Sequence, residues 1–94
     1  MPLRATPHPT VAGVALADVV YPEHHRYPTH ADAYTHVSIV LQGSLLEEAQ
    51  RQEGFASTAS VVVKPAGVRH RNAFGPGGAR LFTLLPPPGV LQHV

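Results

Sequence analysis

Across residues 36–41 the side chains alternate in two sets. One set is His36, Ser38 and Val40; the other is Val37, Ile39 and Leu41. Successive side chains of a strand face opposite sides, so residues 34–42 predict a strand with one fully apolar face and one face carrying a histidine. Valine-rich runs at 11–21 (VAGVALADVVY) and 59–64 (ASVVVK), and the largely apolar run 79–85 (ARLFTLL), predict further strands. Shorter strands are expected at 24–27 and 69–74. Residues 44–50 (SLLEEAQ) suit the second arm of a hairpin, and their Leu, Glu and Ala content suits a helical turn as well. Turn residues separate these runs: Pro22, Pro28, Gly43, Gly54, Pro65 with Gly67, and the tight loop Gly75-Pro76-Gly77-Gly78. Short strands so divided predict an all-β fold, a sandwich or small barrel. Residues 1–10, with Pro2, Pro7 and Pro9, read as a flexible N-terminal arm, 11–85 as the barrel, and 86–94, opened by three prolines, as a tail. Something must cover the apolar face of 34–42 if both faces are buried. The N-terminal arm is one candidate. A second subunit is the one favoured, so a homodimer is expected.

Composition narrows the class. The chain has 94 residues, enough for one small core. A domain of this size gains from oligomer contacts or a metal. Its net charge of +1 does not suggest a basic surface for nucleic acid. Without cysteine, disulfides, cysteine-based metal sites and thiol nucleophiles are excluded. No apolar run approaches the roughly 20 residues of a membrane helix, and the first ten residues lack the apolar stretch of a signal peptide. The expectation is a soluble cytoplasmic protein with no membrane or direct nucleic-acid partner.

Histidine changes the picture. There are seven, more than aspartate and glutamate together. His30, Asp32 and His36 share one face if their segment is extended. His70 arrives from a distant strand, behind the bend Pro65-Ala66-Gly67. Three imidazoles and a carboxylate suit zinc, iron, nickel, manganese or copper. The plainer reading scatters the histidines on polar faces. Ordinary core or rim packing is the favoured reading of Tyr27 and Tyr34, with a hydrogen bond to a ligand at the barrel mouth the alternative, and Ser38 is expected to point inward. Of the adjacent His24 and His25, at most one faces inside, and by parity His24 sits with His30. His8 and His93 lie in the tails. Glu47 and Glu48 read as a solvated face, Arg69 and Arg71 as pointing away from His70, and Phe55, Phe74 and Phe82 as core.

These residues resemble the cupin motifs. The first is commonly written G(X)5HXH(X)3–4E(X)6G. Here His30, Asp32, His36 and Gly43 give H-x-D-x3-H-x6-G, with Asp for the second His, His for the Glu, and His24 for the first Gly. The second motif is G(X)5PXG(X)2H(X)3N. The segment from Pro65 to His70 fits PXGXXH, with the Asn early, at Asn72, and Ala59 for the leading Gly. The stretches YTHVSIVLQGS (34–44) and PAGVRHRN (65–72) are most similar to the N-terminal sensor domains of AraC-type regulators. The resemblance spans roughly 14–85.

The resemblance implies a small cupin barrel with His30, Asp32, His36 and His70 as metal ligands and Tyr34 and Ser38 in a ligand pocket. The function it implies is a sensor-like binding module for a divalent transition metal, a small-molecule ligand or both, without a DNA-binding domain. The alternative is a metal-dependent cupin enzyme of dioxygenase or isomerase type. A bare dimerisation barrel is a third possibility.

Overall fold

The computed structural model describes residues 3–87. Its strands are β1 (Arg4–Val11), β2 (Val14–Tyr21), β3 (Arg26–His30), β4 (His36–Ala49), β5 (Gln52–Ser57), β6 (Val61–Lys64) and β7 (His70–Leu85). The described residues include no helix long and apolar enough to cross a membrane.

Two hairpins turn on two residues each. Ala12 and Gly13 have φ of 51° and 78°, and Gln50 and Arg51 have 51° and 64°. Positive φ at both central residues matches the twist of paired strands. The 11–21 run is therefore divided at 12–13. Residues from Arg4 onward, read as an arm, form the exposed edge strand β1. Residues 44–50 continue β4 and pair with β5. The hairpin of β4 thus closes at Gln50-Arg51 and not at Gly43. The tail from residue 88, with His93, lies outside the described residues.

All seven strands join in one antiparallel sheet that folds back on itself. Strands β4 and β7 run through both halves. Their first and last parts pair as β1-β2-β7-β4-β6, and their other parts as β3-β7-β4-β5. Both strands bend where they change layers. Strand β4 slips register on either side of Gly43, and β7 runs through Gly75-Pro76-Gly77-Gly78 without ending. The predicted tight loop is thus a bend within one strand, and 69–74 and 79–85 are two halves of it.

The bends reverse the inside–outside parity. Val40 and Leu45 of β4 are both buried, as are Phe74 and Ala79 of β7. An odd spacing cannot keep one face in a regular strand; the irregularities supply the missing step. Val40, Leu45, Ala56, Phe74, Ala79 and Leu81 form the core, with Tyr21, Tyr27 and Val62 packed against it. Phe74 is core as expected. Phe55, on the outward parity beside inward Ala56, is 72% exposed. Phe82 is half-buried on the outer face, edge-on to His8.

Tyr21 stacks on Phe74 at 4.1 Å between ring centroids. Burial, with smaller contributions from Tyr27 and Asp32, pushes its phenol up from 10.0 to about 12. Between those values the unfolded chain releases this proton and the folded chain keeps it. Stability is therefore present below pH 10.0 and falls as pH rises toward about 12. The loss is on the order of 3 kcal/mol. Urea midpoints on either side of that window should separate in the wild type. They should separate less in Tyr21→Phe.

Candidate metal centre

The inner face of the barrel is apolar at the bend and polar toward one end. Counting from the buried positions, β4 turns His36 and Glu47 inward, β7 turns His70 and Asn72, and β6 turns Lys64 in line with Val62. His30 is the register partner of His70 across the β3–β7 pair. Asp32 lies on the loop between β3 and β4. That loop is clipped to the 65–67 turn: Gly67 N–H donates to the Asp32 carbonyl at 2.9 Å, and Ala66 N–H donates to Thr35 Oγ1 at 3.0 Å. The Pro-x-Gly bend therefore positions Asp32 as well as His70.

Three donors converge. His30 Nε2 and His70 Nε2 are 3.1 Å apart, and the Asp32 carboxylate places Oδ1 3.6 Å from His30 Nε2 and Oδ2 3.3 Å from His70 Nε2. Bonds of about 2.0–2.2 Å separate tetrahedral donors by about 3.3–3.6 Å and adjacent octahedral donors by about 2.8–3.1 Å. The observed separations fall in this range. The tautomer also fits: His30 Nδ1–H donates to the Pro28 carbonyl at 2.7 Å, which leaves Nε2 with its lone pair facing the cluster. His70 is 2% exposed. Burial lowers its pKa, against the upward pull of Asp32, and so favours the neutral, ligating form.

His36 is placed differently. Its Nδ1 lies 3.5 Å from Asp32 Oδ2, is buried, and has no hydrogen-bond partner. The group whose ligand atoms all lie within 4.8 Å of one another consists of His30, Asp32 and His70, without His36. An orphaned imidazole nitrogen beside the shared carboxylate suits a site that expects a further occupant.

Other expected residues fall elsewhere. Ser38 points inward as expected, but its hydroxyl is paired with Thr83 Oγ1 at 2.9 Å inside the core. Tyr34 is 55% exposed on the loop. Arg71 is turned outward and bonded to Glu48 at 2.7 Å. Glu47, expected in solvent, is half-buried with Oε1 3.9 Å from His70 Nδ1, and burial raises its pKa. His25 is the inward member of its pair. It packs edge-on to Tyr27, and its Nε2 is buried without a partner; His24 is exposed with φ of 56°.

Glu47 and Lys64 were missed as site residues, and the unpaired Asn72 Oδ1 was noted only as a motif position. The signal for Lys64 was available: it ends an alternating V-V-V-K strand in phase with inward Val62. A cavity of about 480 Å³ opens beside the cluster, and its lining includes His70, Glu47, Glu53 and Lys64 together with Leu45, Ala56 and Val62. A larger cavity of about 850 Å³ lies by β1, β2 and the β7 bend, and none of the three converging donors lines it.

Solved structures resemble this fold. A cupin superfamily protein of Desulfitobacterium hafniense superposes with a TM-score of 0.75 at 14% identity, covering 90% of this chain and 77% of that one. The fold is a cupin fold. A Rhizobium leguminosarum protein of unknown function gives 0.82 at 19% identity, over 90% of this chain and 81% of that one. KdgF from a Halomonas species gives 0.74 at 13% identity, over 93% and 81%. No family model matches the chain, and no curated protein matches it. In this cupin barrel the converging donors come from β3, the following loop and β7.

Proposed function

We propose that this chain is a small metal-binding cupin module, holding a divalent transition metal on His30, Asp32 and His70, with His36 beside them, and a small-molecule ligand in the adjoining cavity. The observation that carries the reading is the convergence of three donors from positions 30, 32 and 70 at metal-ligand separations. A metal bound there supplies Lewis acidity toward an oxygen ligand. The chain's own part is to fix the donors. Pro28 orients His30, the 65–67 turn anchors Asp32, and Glu47 faces the far nitrogen of His70. The role proposed is sensor-like binding in the cytoplasm, in line with the likeness to AraC-type sensor sequences. Elemental analysis of untagged protein tests it: about one metal per chain is expected. A metal-free protein would overturn the reading.

One observation favours a second reading, a metal-dependent enzyme. Among the described residues three donors converge, which leaves coordination positions open to a substrate. Zinc in a closed four-donor site would count against it.

The same proposal includes a homodimer. The outer face of β4 and its neighbours carries Leu41, Val61 and Val63 exposed, around half-buried Val37, Ile39, Phe82 and Leu84. The Asp18–Arg80 pair lies beside this patch on the same face. Such a patch can cover its own copy about a two-fold axis. Light scattering should give twice the 10.0 kDa chain mass for wild type and the single mass for Val63→Asp. A wild-type monomer at high concentration would remove the dimer.

A further inference from the structure

We infer that the cavity beside the cluster is an anion subsite, in which the Lys64 ammonium receives a carboxylate of a small organic acid whose other end reaches the His30–Asp32–His70 group. This inference rests on the metal-binding reading above and names the class of ligand for the same site.

The geometry comes first. Lys64 closes β6 on the inward parity of Val62, while Val61 and Val63 face out at 61% and 53% exposure. Its register partner on β4 is His36, so it stands beside the cluster. Lys64 and His70 line the same cavity of about 480 Å³. A ligand in that space therefore meets both.

Charge decides what the ligand is. Lys64 is half-buried, and no carboxylate comes within ion-pair distance of its ammonium among the described residues. The carboxylates that act on it from across the site are Glu47, with Oε1 3.9 Å from His70 Nδ1, and Asp32, which lies among three histidines, and neither reaches ion-pair distance of the ammonium. A withdrawn ammonium without a direct counter-ion is costly unless an anion completes it. Leu45, Ala56 and Val62 on the same walls offer apolar contact to a short carbon chain.

Malonate and its uncharged diamide, malonamide, are the probes. Calorimetric titrations would use zinc-loaded and metal-free protein, as wild type, Lys64→Met and Lys64→Arg, with metal content measured in each. Wild type should prefer malonate over malonamide by about tenfold or more, the worth of a hydrogen bond to a charged group. Lys64→Met should narrow that preference about tenfold, leaving on zinc-loaded protein the part that carboxylate–zinc contact supplies, and Lys64→Arg should largely restore it. The comparison of the two probes on wild type does not depend on any variant folding. Equal affinity for both probes, or malonate binding unchanged in Lys64→Met, overturns the subsite even where metal is bound. Lys64-dependent malonate binding by a protein that takes up no metal supports the subsite and removes the metal reading instead.

Discussion

Gly43→Ala is expected to cost at least about 3 kcal/mol, enough to threaten the fold of a domain whose whole stability is of order 5–15 kcal/mol. Two effects add. Gly43 has φ of 87°, a conformation L-residues rarely adopt. A Cβ built there would stand 2.1 Å from the Gly78 carbonyl oxygen and 2.8 Å from Ala79 Cα. Both are backbone atoms of the facing strand and cannot swing aside as a flexible side chain would. The bend of β4 nests in the bend of β7, so relief means separating the central pair of strands. At about 4–8 °C per kcal/mol for a domain of this size, the melting temperature should fall by roughly 12–24 °C. Gly54→Ala is the control, because its added Cβ meets nothing within 4 Å. Similar melting of the two variants would show that the nested bends do not hold the layers together.

The second large effect is on metal. Asp32→Asn keeps the size of the side chain but removes the only charged donor of the converging three. His70→Ala removes a donor whose side chain is 2% exposed. Either should abolish stoichiometric metal. A ligand held at a thousandfold above its Kd stabilises by about 4 kcal/mol. Chelation should therefore lower wild-type melting by roughly 16–32 °C. It should leave Asp32→Asn unmoved. His36→Ala should retain metal with weaker affinity, since His36 contacts Asp32 and lies outside the three-donor group. A wild type indifferent to chelation, or an Asp32→Asn variant that retains full metal, would remove the site. Full loss in His36→Ala would make His36 a ligand in its own right.

How much of this was legible varies by residue. The donors His30, Asp32 and His70 were visible because ligand chemistry is a property of residue type and the Pro-x-Gly bend before His70 is local. Glu47 was misread for a definite reason. Read as an arm beginning after a turn at Gly43, residues 44–50 put Glu47 with Glu48 on one solvated face, and alternation carried through from inward Val40 also turns Glu47 out. The register slips around Gly43 reverse that count, so Glu47 faces His70 and Glu48 pairs with Arg71 on the surface. His24 was favoured over His25 by the same kind of count. The strand begins only at Arg26 and slips between Tyr27 and His30, so parity before it carries no information.

The sequence by itself determined the all-β class, the positions of most strands and the residue types able to ligate a metal. These follow from β-branched runs, from Gly and Pro, and from side-chain chemistry, all of which act over a few residues. Tertiary structure decided which faces turn inward beyond the bends, that His36 stands apart from the three converging donors, and that Lys64 shares a cavity with His70. Those outcomes depend on how β4 and β7 nest at Gly43 and Gly78. Such a backbone-to-backbone contact between distant segments leaves no periodic trace in either one.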